Sequence, residues 1–248
     1  VTDPASSIWL RPERAARGPA PEFSRAALAR AAIEIADVRG LQAATMRQVA
    51  TALGTAPASL YRYVATRSEL VELMIDQVVG AVPYEPLSGD WRADLVTLAR
   101  QSRTMLMSHP WMIEAQGSGR QVGPGAAAYL EHGLAALHQV RRPGWEKLEA
   151  LAILSGVVRL LAGAELAETT GAAVDARTQA TAGAYLAHIV ARGGHPHLAA
   201  ALGDARTSDD DLFDRVVVRV LNGLIADDLS TATPEGASVS VADGTVGG

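Results

Sequence analysis

An all-α fold is predicted by three features of the sequence. Apolar residues recur at helical spacing through nearly every segment, and no stretch alternates as a strand would. Hydrophobic residues make up 48% of the 248-residue chain but aromatics only 4%, so the core must be mostly Ala, Leu, Val and Ile, which favours helices. Glycine and proline stand between the periodic segments, where helices stop and start. The length suits one large domain or a small domain plus a larger one.

Residues 1–21 contain Pro4, Pro12, Pro19 and Pro21 and read as a flexible basic arm. In SRAALARAAIEIADVRG, Leu28, Ala31, Ala32 and Ile35 recur at helical spacing, Ser24 caps the start and Gly40 the end. TMRQVATALG opens on Thr45 and Gln48 at capping-box spacing and stops at Gly54. APASLYRYV carries Pro57 in its first turn, where the missing N–H costs nothing. TRSELVELMIDQVVG opens on a second capping box, Thr66 with Glu69. Three short helices and a longer one over 66–80 therefore make a first domain at 22–80. AVPYEPLSG, from Ala81 to Gly89, is a connector. Helices are then expected over about 90–108, briefly from Pro110, and over 125–140, 144–169, 176–192 and 208–229, making 81–229 the second domain. The small, polar tail 230–248 is expected to be disordered.

Composition narrows the function classes. There is no cysteine, which excludes disulfides and thiolate chemistry and suits a reducing cytosol. No apolar run is read as reaching the roughly 18 residues of a membrane span, and no signal peptide is recognised, so a cytoplasmic protein without a membrane partner is expected. The net charge of −5 divides into +4 over residues 1–67 and −9 over 68–248, a basic head on an acidic body, as a polyanion partner would require. No GxSxG, phosphate loop, HExxH or catalytically spaced carboxylate pair occurs, so no catalytic residue is assigned and the chain is not read as an enzyme. His195 and His197 form an HxH pair with His188 nearby, but no further ligand completes a zinc set. Surface histidines are the default, and neither metal nor cofactor is expected.

The second short helix ends in a glycine turn and the third starts at once, which is helix-turn-helix grammar. In that motif the third helix enters the major groove with its first turn against base edges. Pro57, Ala58 and Ser59 are small enough to seat deeply, and Ser59 can donate to a base or phosphate. Tyr61 and Tyr63 would offer rigid hydroxyls to phosphates and Arg62 a charge. Thr45 and Arg47, at the start of the preceding helix, join this DNA-binding set. The bland alternative is a three-helix knot with surface tyrosines. Upstream, Arg11, Arg14 and Arg17 read either as an arm entering a minor groove or as a solvated terminus, and Trp9 is unexpected in a disordered segment.

TMRQVATALGTAPASLYRYVATRSELVELM resembles the DNA-binding head of the TetR family of bacterial repressors. The resemblance rests on Arg47, Val49–Ala50, the Gly54 turn, Leu60–Tyr61 and the TRSEL helix start. DWRADL, LMSHPW and LSGVVRLLAGAEL resemble, more weakly, the ligand-binding and dimerising domain of the subgroup that includes the tetracycline repressor. Three positions depart from the pattern. Ala56 stands where members have a capping Ser or Thr, and Ala65 where they often carry a lysine, whose phosphate contact Arg67 would replace. Gln116 roughly takes the place of a histidine that ligates the drug's metal; Gln is a poor ligand there, so a metal–tetracycline effector is not expected.

In the body, Met105, Met107, Trp111 and Met112 cluster around a helix end, as core or as the wall of an apolar pocket. Arg159 has apolar or small neighbours on every face and needs a partner, either an acidic effector or an acid such as Glu165 across a dimer interface. The resemblance puts Arg159 where the tetracycline repressor has a pocket residue. The candidate ligand-binding set is Leu98, Ser102, Met105, Trp111, Gln116, His132, Ser155 and Arg159. The last helix opens on Asp209–Asp211, which suit its dipole, and carries a wide apolar stripe. With the apolar 148–166 stretch, it predicts a four-helix homodimer interface containing Leu151, Val158, Phe213, Val217, Val220, Leu221 and Leu224.

These features together predict a three-helix helix-turn-helix DNA-binding head on a helical ligand-binding and dimerisation body. The function expected is a ligand-responsive transcriptional regulator, a repressor released from a palindromic double-stranded DNA operator by a largely apolar small molecule. The alternative is a small-molecule binding protein of the same fold without operator recognition, which Ala56 and Ala65 favour. An enzyme would need a catalytic carboxylate or histidine in the pocket.

Overall fold

The computed structural model describes residues 7–12, 23–115, 122–169, 176–203 and 212–225. The described residues form α-helices and one 3-10 turn, with no strand among them. Arg14 and Arg17, Gln116, Asp209–Asp211 and the 230–248 tail lie outside them.

The head helices begin and end where the sequence signals them. α1 (Arg25–Arg39) starts at Ser24, whose hydroxyl accepts the Ala27 N–H at 3.1 Å. After the 3-10 turn Leu41–Ala43, Thr45 caps α2 (Met46–Ala52) by accepting the Gln48 N–H. Gly54 takes φ 68°, a left-handed turn, and lets the Thr55 N–H donate back to the Ala50 carbonyl at 2.9 Å. α3 (Pro57–Leu60) has no side-chain cap; Pro57 at its first position presets φ for the helix and removes one N–H that would otherwise lack a partner. α4 (Arg67–Gly80) is capped by Thr66, while the Glu69 carboxylate reaches back to the Ala65 N–H at 2.7 Å. Leu28, Ala32, Val49, Leu60, Val64, Leu70 and Met74 are fully buried between these helices.

In the body, α5 (Trp91–Ser108), α8 (Gly144–Thr169) and α11 (Leu212–Leu224) pack on one another, with α6 (Trp111–Glu114) short and α7 (Pro124–Ala136) lying against α4, α5 and α8. Their shared core holds Leu95, Leu98, Leu151, Leu154, Val158, Val217 and Leu221. α9 (Ala176–Ala191) and α10 (Pro196–Gly203) pack against each other.

Several expectations are corrected. α7 stops at Ala136 instead of 140, because residues 137–140 tighten into a turn. α10 falls in a stretch read as a break: Gly193 and Gly194 do turn the chain at positive φ, but Pro196 then opens a further helix. α8 contradicts the expectation that no apolar run is span-length, since an 18-residue window within its 26 residues averages a hydropathy of 1.7. That apolarity serves a packed face against α5, α7 and α11. Residues 7–12 are not a free arm, because Ile8 is buried in the core and Arg11 bonds Glu69 at 2.5 Å.

Candidate nucleic-acid interface and effector cavity

The head exposes a compact polar and basic face. Arg47 projects from the first turn of α2. Pro57 and Ala58 are exposed at the start of α3, Ser59 is half-buried, and Tyr61 is 54% exposed just beyond it. Arg62 is exposed and packs its guanidinium 5.0 Å from the Tyr63 ring centre. Thr45 is committed to its cap.

Tyr63 corrects the reading of the tyrosine pair. It is only 3% exposed, and its hydroxyl accepts the Phe23 N–H at 3.1 Å. The helical turn that points Tyr61 outward carries Tyr63 about 200° round the axis and into the core. Arg67 is also engaged: its guanidinium donates to the Leu41 carbonyl at 2.8 Å and to Gln42 Oε1 at 3.3 Å, tying α4 to the turn before α2.

Behind the head lies a cavity of about 180 Å³. α4 supplies Ile75 and Val79, α5 Ser102, Met105 and Leu106, α6 Met112, α7 Ala126 and Tyr129, and α8 Ser155, Val158 and Arg159; Val82 closes it from the connector. The walls are apolar except for Arg159 and one hydroxyl cluster. Tyr129 Oη lies 2.9 Å from Ser155 Oγ, which donates to the Leu151 carbonyl at 2.7 Å. Burial raises the Tyr129 pKa, outweighing the bonds it shares with Ser155 and Ser102, which lower it, so the phenol stays protonated at neutral pH and donates to Ser155 Oγ. An open groove of about 790 Å³ runs alongside, between the connector and α5, and shares Val82 and Met105 with the cavity.

The comparisons with known proteins agree with this arrangement. Residues 28–74 match the family described as Bacterial regulatory proteins, tetR family, and residues 82–227 match the Tetracyclin repressor-like, C-terminal domain. The chain belongs to the TetR family. It is 32% identical over 223 residues to the HTH-type transcriptional repressor DrrR1 of Streptomyces coeruleorubidus, covering 88% of this chain and 83% of that one. It is 30% identical to an HTH-type transcriptional regulator of Saccharopolyspora erythraea over 66% of this chain and 68% of the relative. Among solved structures, apo ActR from Streptomyces coelicolor matches with a TM-score of 0.69 and 26% identity, over 82% of this chain and 97% of ActR. ActR in complex with actinorhodin matches with a TM-score of 0.64 and 24% identity, over 82% and 97%.

As a TetR-family protein, the chain is a DNA-binding transcriptional regulator with a ligand-binding C-terminal domain. Of the expected ligand residues, Ser102, Met105, Ser155 and Arg159 line the cavity. Leu98 does not; it is buried between helices. Trp111 is buried too, with Nε1 donating to Asp37 Oδ1 at 2.7 Å, which ties α6 to α1. His132 stacks on Tyr84 with ring centres 4.7 Å apart, away from the cavity lining. Gln116 is outside the described residues. Tyr129 was missed, although a lone aromatic in the Ala-rich AAAYLEHG is a signal that could have found it. The wall contributed by α4, Ile75 and Val79, was missed, since an apolar residue at helical spacing carries no signal that separates a cavity wall from core.

Four members of the expected dimer set are corrected: Leu151, Val158, Val217 and Leu221 are buried inside their own protomer, whereas Phe213, Val220 and Leu224 on α11 are half-buried. Within the protomer, Glu165 accepts the Arg103 Nε at 2.7 Å, joining α8 to α5. The apolar surface left exposed on α8 is a different stripe, with Trp145 66% and Leu160 73% exposed. His188, His195 and His197 are exposed, and no group of three candidate ligands converges among the described residues.

Proposed function

We propose that the protein is a homodimeric repressor whose small-molecule effector enters the α4–α8 cavity and releases it from a palindromic operator. One observation carries this reading: α4 both lines the cavity, through Ile75 and Val79, and packs along α1 of the head. A cavity of about 180 Å³ is smaller than the roughly 300–1,000 Å³ of most ligand sites. A drug-sized occupant must therefore displace a wall. Displacing α4 re-angles the recognition helix and spoils the spacing of about 34–36 Å between successive major grooves.

Arg47, Ser59, Tyr61 and Arg62 are the DNA-contacting side chains in this reading, with Pro57 and Ala58 allowing close approach. The wall chemistry suits a planar, mostly apolar effector with a hydroxyl or carbonyl for Tyr129 and Ser102 and an electron-rich group for Arg159. The actinorhodin found in ActR supports that class. On α8, exposed Trp145, Ala152 and Leu160 and half-buried Gly156 follow one another at spacings of seven, four and four residues, one face of the helix, and the small members let a second copy approach closely. The protein acts in the cytoplasm, by binding and not by catalysis.

Selection from random duplexes tests the reading. It should return a palindrome bound with a steep salt slope. A panel of planar phenols and quinones, actinorhodin included, should contain a member that weakens binding by roughly 5–150-fold, the reach of a coupling of about 1–3 kcal/mol. Val79→Trp, which fills the cavity, should keep DNA binding and lose release. Sequence-blind binding would instead favour a carrier of the same fold.

A further inference from the structure

Trp9, out of place in a disordered arm, sits where head and body meet. A side chain built at residue 123, ahead of α7, would collide with both the Trp9 ring and the Asp76 carboxylate of α4. The indole is thus wedged between the start of a body helix and the far half of α4. The rest of the 7–12 segment is bolted to the head. Arg25 Nη1 donates to the Ile8 and Arg11 carbonyls at 2.8 and 2.9 Å, and its Nε donates to the Tyr63 carbonyl at 3.2 Å. Arg11 reaches Glu69, which holds the Ala65 N–H beyond the recognition helix.

We propose that residues 7–12 form a strap that sets the angle of the head on the body, with Trp9 as the wedge and Arg11 as the anchor. Both are positioning residues: neither lies on the DNA face or in the cavity lining. The strap crosses α4 twice, near Glu69 and near Asp76, about seven residues or 10 Å apart along the helix. Arg11 fixes the strap to the head at Glu69 while Trp9 meets the body at Gly123, so the head cannot tilt on the body without breaking one of these contacts. Trp9 Nε1 is buried with no hydrogen-bond partner among the described residues, so the ring's bulk and not its N–H is what the site uses. Phenylalanine should therefore substitute for it.

The head-to-body distance tests this directly. The chain has no cysteine, so V38C with E131C gives two specific spin-label sites, exposed on α1 and α7. Dilution with unlabelled protein restricts double electron–electron resonance to pairs within one protomer, whatever the oligomeric state. The expected result is a single narrow distance for the parent and for W9F, and at least a twofold broader distribution for W9A and for R11A. L98A, a core truncation away from the strap, should lower thermal stability yet keep the narrow distance. Distributions for W9A and R11A superimposable on the parent's, or equal broadening by L98A, would overturn the strap. The functional consequence rests on the repressor reading: W9A should bind the selected operator at least fivefold more weakly. A parent that selects no operator would refute the repressor reading, while the distances still decide the strap.

Discussion

The carboxylate of Asp76, buried on α4, caps the start of α7 by accepting the Gly125 N–H at 3.0 Å. Its second oxygen accepts the Ala126 N–H at 2.9 Å. α7 has only Gly123 at its own cap position, so the capping anion comes from another helix, where it also meets the positive end of the helix dipole. Gly125 is needed because a Cβ there would strike the backbone of Asp76 and Gly80. Asp76→Asn should lower stability by about 1–3 kcal/mol, the scale for bonds to a charged acceptor. Denaturant titration measures it, and a loss below about 0.5 kcal/mol would contradict the cap. Gly125→Ala should push α4 and α7 apart and cost as much or more.

Tyr61 and Tyr63 should separate cleanly by mutation. Tyr63→Phe leaves the Phe23 N–H without its partner and should cost about 1 kcal/mol of stability, while the salt slope of DNA binding stays unchanged. Arg62→Ala and Arg47→Ala should each reduce that slope by about 2, one contact being lost from each protomer, and leave the melting temperature nearly unmoved. A Tyr63→Phe variant with a reduced slope would return that hydroxyl to the DNA face.

Association should depend on α8's outer stripe and not on α11's inner one. Leu160→Glu places a charge on the exposed stripe and should yield folded monomers in sedimentation. Leu221→Ala empties a buried site and should cost about 2–5 kcal/mol with the association state intact. A dimer surviving Leu160→Glu would exclude this face.

Acid should loosen the connector first at Asp94. Burial alone would raise its pKa, but the Ser88 N–H and hydroxyl and the Gly89 N–H bond the carboxylate and hold it below the ordinary aspartate value. A lowered folded pKa means the unfolded chain binds the proton more readily. The stabilisation is therefore complete above the unfolded value and is lost as pH falls through the folded one. Asp214, lowered chiefly by its bond from Arg100, adds to the same window. Stability of the parent should fall steeply below about pH 4, and Asp94→Asn should flatten that limb. An unchanged acid limb would remove Asp94 from the account.

How much of this was legible in the sequence depends on the range of the interaction. Ser24, Thr45 and Thr66 all cap the helices their spacing announced, because a cap joins residues three apart. The Gly54 turn and Pro57 start were readable for the same reason, and they carried the family resemblance with them. Periodicity likewise marked α8 and α11 as apolar.

Which apolar face turns inward is another matter, and so is which of two tyrosines meets water. Leu151, Leu221 and Tyr63 were read as surface contacts because a stripe on one helix does not say what covers it. Only the packing of α5 and α11 on α8, and of Phe23 on Tyr63, decides that. Trp9 against Gly123 and Asp76 against α7 join residues separated by 49 positions or more. Contacts at that separation leave no local pattern in the chain, since they arise when whole helices dock and not when any one of them forms. The sequence by itself determined the all-α class, the capped helix starts of the head and the family; the tertiary structure decided the end of α7, the cavity, the strap and the free face of α8.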